Sequence, residues 1–177
     1  EQVYANLLWH FGRGMAQAAS QQLTEANHEL QLLRQLMKDS SLQVPFTPFS
    51  PAIDGAIVAE NLLAGTIALK QKDINTAIAA FEKAVTTESN MVYNEPRDWL
   101  LNPKQYLGNA LLINKDGVRA EKVFNEDLGY NMENGWALFG LEQALLLQQK
   151  NEAAASAAAR FKKAFGANSI KLAAPVF

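Results

Sequence analysis

The chain has 177 residues, 49% hydrophobic and 19% charged, which is the composition of a folded chain with a sizeable core rather than a disordered one. Its net charge of -2 offers phosphates no basic footprint and anionic lipids no polybasic anchor, so neither a nucleic-acid partner nor membrane insertion is expected. Cysteine is absent, which removes disulfides, iron–sulfur clusters and thiol chemistry and leaves cytoplasm and periplasm equally suitable.

No apolar run approaches the roughly 18 residues of a transmembrane helix. In chain order, apolar periodicity predicts helices over 3–18 and 21–38. The next stretch, "DSSLQVPFTPFSP" at 39–51, has three prolines and no periodicity, and reads as a connector. Helices follow over 52–71 and 74–88. Ser50-Pro51 is read as cap and first helical residue of the former, and Asp73 as the cap of the latter. A second connector, 90–100, contains "YNEPRDW". Asn102-Pro103 opens a helix over 103–114, Asp116-Gly117 marks the next turn, and helices follow over 117–129, 134–149 and 151–165. Residues 167–177 form a tail. No strand is expected.

The helices carry an internal repeat. Gly65 precedes Ala77 by twelve residues, Phe81 follows four later and Ala84 three after that. Gly108, Ala120 and Phe124 repeat the first two steps, but Asp127 stands where the last small residue belongs. Gly14, Ala26 and Leu30 give a weaker version, and Trp136, Phe139 and Gly140 open a fourth. Small residues at such spacing let two antiparallel helices approach closely while large neighbours fill the space beside them. Gly65 is expected to face Ala77 at such a crossing. The pattern resembles the tetratricopeptide-repeat family, most specifically in "ENLLAGTIALKQKDINTAIAAFEKAV". The resemblance implies an all-α fold: a right-handed α-solenoid of about four antiparallel helix pairs in a single domain, with repeats at 3–38, 52–89, 101–131 and 134–166. Successive glycines lie 51, 43 and 32 residues apart, against a family period of about 34, so the excess falls in the two connectors. "LLWHFGRGMA", "YNEPRDW" and "NGWALFGLEQAL" with "ARFKKAF" together look like the C-terminal part of larger bacterial tetratricopeptide-repeat proteins. That group has no established activity; the likeness implies further repeats before Glu1.

Catalytic constellations are thin. His10 and His28 lie eighteen apart in different predicted helices, which is not a metal pair. The glycines of "FGRGMA" and "YLGNAL" sit inside helices, not in phosphate-binding loops. No catalytic residue, metal site or cofactor is expected.

Binding is the more natural use of stacked helix pairs, whose first helices line a concave face. The exposed offsets give Phe11 and Met15, then Leu62, Thr66 and Leu69, then Gln105, Tyr106 and Asn109, and finally Leu141. Asn109 is the one good candidate for clamping a carboxylate, with Lys70 near its helix end, so a clamp for acidic C-termini is not expected. The occupant is either a partner peptide or the chain's own connectors and tail. Tyr93, Glu95, Arg97, Asp98 and Trp99 form the richest connector segment, either packing or a ligand-contacting loop. Both rings are expected to be buried against the start of the 103–114 helix and the end of the 74–88 helix, with Glu95 accepting from backbone amides or Arg97. The reading is a protein-interaction or scaffold module for a peptide segment or partner subunit. The alternative is the ligand-binding part of an enzyme, with His10, Glu95 and Asp98 converging on a pocket.

Overall fold

Turn chemistry sets the helix ends. The computed structural model describes residues 2–94, 99–165 and 172–176. Among them it has eight α-helices: α1 (Val3–Ala19), α2 (Leu23–Leu36), α3 (Ala52–Lys70), α4 (Ile74–Asn90), α5 (Pro103–Ile113), α6 (Gly117–Tyr130), α7 (Gly135–Leu147) and α8 (Asn151–Phe165), with a short 3-10 turn at Ser40–Gln43. Every α-helix ends within two residues of its predicted position, and no strand occurs among the described residues.

Four turns join the helix pairs, and they are alike. Gln21, Lys72, Lys115 and Gln149 each adopt positive φ, at 62°, 67°, 59° and 59°. The following amide donates back into the last helical turn in each case: Gln22 N to Gln17 O, Asp73 N to Ala68 O, Asp116 N to Leu111 O and Lys150 N to Leu145 O, at 2.9–3.0 Å. This is the Schellman ending, which satisfies carbonyls a helix terminus would otherwise orphan. Asp73 and Asp116 then cap the next helix by accepting from Thr76 N and Arg119 N. The Ser50 cap does not form. Pro51 occupies the cap position of α3, and the Ser50 hydroxyl instead accepts from Val92 N at 2.8 Å, tying the first connector to the second.

The chain divides into two compact units, Glu1–Pro103 and Lys104–Phe177. In the first, α1 packs on α2 and α3, α2 on α3, and α3 on α4. Its core holds Leu7, Leu33, Leu62, Leu63 and Phe81, all with no exposed surface. α3 has the length and mean hydropathy of a membrane-crossing helix, contrary to the expectation that no segment would, but 56% of that apolar window is buried inside the unit and Asp54 and Glu60 interrupt it. In the second unit α6 packs on α7 and α7 on α8 around Leu111, Phe124 and Leu138. Trp136, Phe139, Phe161 and Phe165 form an aromatic cluster between α7 and α8.

The repeat glycines are contact points, but not with the expected partner. A side chain on Gly65 would meet the Phe81 ring, 2.5 Å from Cε1, so Phe81 rather than Ala77 fills the crossing. Gly108 meets Phe124 in the same way, again sixteen residues on. Gly14 departs from this: it faces Leu63 and Glu29, not Leu30. Because Phe81 is wholly buried, its ring cannot swing aside. Gly65→Leu therefore lowers the urea midpoint of the first unit, at a cost of about 3 kcal/mol, the upper end of the overpacking range. An unchanged midpoint would place Gly65 away from a crossing.

Among the described residues four carboxylates are held low in the fold, among them Asp39 through its hydrogen bonds from Ser41. Hydrogen bonds from the Thr76 side chain and backbone amide hold Asp73 below the usual carboxylate range. Lys150, then Gln148, does so for Glu121, and Arg160 does so for Glu133. A folded pKa below the unfolded one adds stability above the unfolded value, lost as pH falls through the folded one. Thermal melting followed by circular dichroism is therefore flat from neutrality to about pH 5 and declines below about pH 4. A melting temperature that rose in that acid range would reverse the sign.

Candidate functional site

In the first unit, the predicted lining is partly filled by the chain itself. Phe11 is buried, and the ring that meets it belongs to Trp99 of the second connector, with centroids 5.3 Å apart. Leu62 has no exposed surface, whereas Met15, Thr66 and Leu69 are half-buried, the Thr66 hydroxyl donating to Leu62 O. In the second unit Gln105, Tyr106 and Leu141 are buried and Asn109 is half-buried. Burial pushes the Tyr106 hydroxyl up from its ordinary pKa.

The second connector divides the expectations made for it. Trp99 is buried, but its ring partner is on α1 rather than at the helix ends anticipated for it. Tyr93 is 68% exposed, and the expectation that both rings would be buried is corrected. The physical reason is the tether from Val92 N to Ser50, which holds this part of the connector against the first one by its backbone and needs no ring burial. Trp99 Nε1 is buried with no hydrogen-bond partner among the described residues. Glu95, Pro96, Arg97 and Asp98 lie outside the described residues, and with them the proposed convergence on His10.

His10 itself is engaged elsewhere. Its Nδ1 lies 2.6 Å from Glu29 Oε2, and Arg13 Nε lies 3.2 Å from Glu29 Oε1. The Arg13 guanidinium sits over the ring of Trp9, which is 56% exposed. Glu29 is 3% exposed, so a buried carboxylate is paired with two groups from α1. Sequence reasoning missed it, although Gly14 was a signal: its missing side chain leaves room for Glu29 Cβ, 3.2 Å from where a Cβ would stand.

A second buried carboxylate sits where the third helix pair departs from the repeat. Asp127 is fully buried; it accepts from Asn131 Nδ2 at 2.5 Å and Gln105 Nε2 at 3.2 Å. Gln105 Nε2 also donates to Asn134 Oδ1 at 3.3 Å, and that oxygen caps α7 through Ala137 N. The polar residue replacing alanine thus knits α5, α6 and the start of α7 through hydrogen bonds.

A cavity of about 470 Å³ lies on the first unit, beside the first connector. Tyr4 of α1, Gly55 of α3, Met91 beyond α4, and Phe46, Phe49 and Ser50 of the connector line it. No trio of acidic, His or Cys side chains that could hold a metal occurs among the described residues. Compared with family models, curated proteins and solved structures, the chain matches none of them.

Proposed function

We propose that the chain is a tetratricopeptide-type right-handed solenoid acting as a protein-interaction module, taking an extended peptide segment of a partner on the lining formed by α1 and α3. The repeat part of the reading is supported by four equivalent turns and by glycine–phenylalanine contacts at the same spacing in two helix pairs. The observation that carries the function is Trp99 on Phe11. A non-helical segment of the chain lays an aromatic side chain on the face of α1, which is how a peptide would use the half-buried Met15 of that helix and Thr66 and Leu69 of α3. Met15 and Leu69 are apolar and Thr66 has its hydroxyl bound internally, so the surface favours an apolar side chain.

The test is selection of displayed linear peptides on the full chain, with affinities measured by fluorescence anisotropy. Enriched peptides carry an aromatic or large aliphatic residue, and both Met15→Glu and Leu69→Asp weaken them at least about tenfold. Either an absence of enriched peptides or peptides indifferent to both substitutions refutes the reading, provided the variants keep the parent's melting temperature.

A further inference from the structure

We propose that the cavity beside the first connector is a binding site for a small uncharged molecule bearing an aromatic ring. It is a different surface from the peptide lining and does not depend on it.

The connector is pinned at both ends. Asp39 accepts from Ser41 N and caps the 3-10 turn, whose Leu42 is 2% exposed and packs into the first unit beside α1 and α3. At the other end Ser50 holds Val92 N. Between these anchors the chain turns sharply, with Phe49 N donating to Phe46 O at 2.6 Å. The turn holds the Phe46 and Phe49 rings 5.3 Å apart and tilted by 32°. Phe46 is 65% exposed and Phe49 42%, although a fold with a free choice would bury such rings. A connector fixed at both ends with its aromatic side chains held open is a preorganised wall.

The lining defines the guest. The volume is within the range of about 300–1,000 Å³ typical of small-molecule sites. The described lining contains no charged side chain, so a carboxylate, phosphate or ammonium taken inside would lose its water without a partner. Aromatic rings from Tyr4, Phe46 and Phe49 and the thioether of Met91 favour a ring, which can stack or meet them edge-on. The hydroxyls of Tyr4, Ser41 and Ser50 are the lining's side-chain polar groups, and they suit a neutral hydroxyl or carbonyl on the guest.

Titration of the full chain with 2-naphthol, 2-naphthoate and 1-octanol, by calorimetry and ligand-observed NMR, tests the assignment. The expected result is saturable binding of 2-naphthol, with 2-naphthoate and 1-octanol each weaker by about tenfold or more. Phe46→Ser weakens 2-naphthol by a similar factor without lowering the melting temperature, since the ring is largely exposed. If that variant does not fold, Phe46→Leu, which keeps the apolar bulk, still weakens it measurably. No saturable binding of 2-naphthol, equal affinity for the anion or the alcohol, or indifference to the Phe46 substitution overturns the proposal.

Discussion

Phe124→Ala destabilises the second unit by about 3–5 kcal/mol, the range for deleting a fully buried aromatic side chain. Phe124 has no exposed surface. Its ring on α6 faces Gly108 of α5 and Gly140 of α7, so one side chain fills the space where three helices meet. Neither glycine has a side chain to collapse into the space left behind, which puts the cost toward the upper end of the range. The complementary substitutions act through the same contact. Gly108→Ala and Gly140→Ala each push a methyl group into the ring, and each destabilises in the parent but less so when combined with Phe124→Leu. Trp136 in this unit reports unfolding by fluorescence once Trp9 and Trp99 are replaced by Phe. Additive costs in the double variants would show that the ring and the glycines do not share one contact.

Trp99→Ala costs the first unit about 3–5 kcal/mol, and Trp99→Phe costs much less. Trp99 is 9% exposed and packs on Phe11, so its loss uncovers that ring and opens a cavity over α1. The indole nitrogen is buried without a partner among the described residues, so removing it in Trp99→Phe relieves a desolvated donor and partly offsets the smaller ring. Urea denaturation followed by circular dichroism gives both values. If Trp99→Ala instead kept the parent's stability while a selected peptide or 2-naphthol lost affinity, the connector would be a binding loop and not packing.

Much of the architecture is written in short-range signals. Asp73, Asp116 and the prolines at 51 and 103 mark helix starts because caps and turns are satisfied within a few residues of themselves. The glycine–phenylalanine spacing in two pairs was legible because a helix, a Schellman turn and a second helix have fixed rise and rotation, which brings residues sixteen apart together in those two pairs. Asp127 announced itself by standing where a small residue belonged, but its burial did not, because its partner Gln105 comes from another helix, while Asn131 is the C-cap of its own.

What only the tertiary structure decided are the contacts between residues far apart in the chain. Ser50 looked like a local cap and instead serves Val92, because a hydroxyl goes to whichever unsatisfied amide the packing brings nearest. Tyr93 and Trp99, six residues apart and equally aromatic, part company: one is exposed and the other lies on Phe11. Glu29 is buried because His10 and Arg13 reach it across α1 and α2. The cavity exists because Leu42 and Ser50 pin the ends of a connector whose middle carries Phe46 and Phe49. Sequence by itself determined the helices and the spacing of their glycines and aromatics, since those depend on backbone geometry over a few turns. Which face stays open, and to what chemistry, depended on where two long connectors come to rest, and no local pattern encodes that, because the free energy of burying a side chain belongs to the surface that receives it.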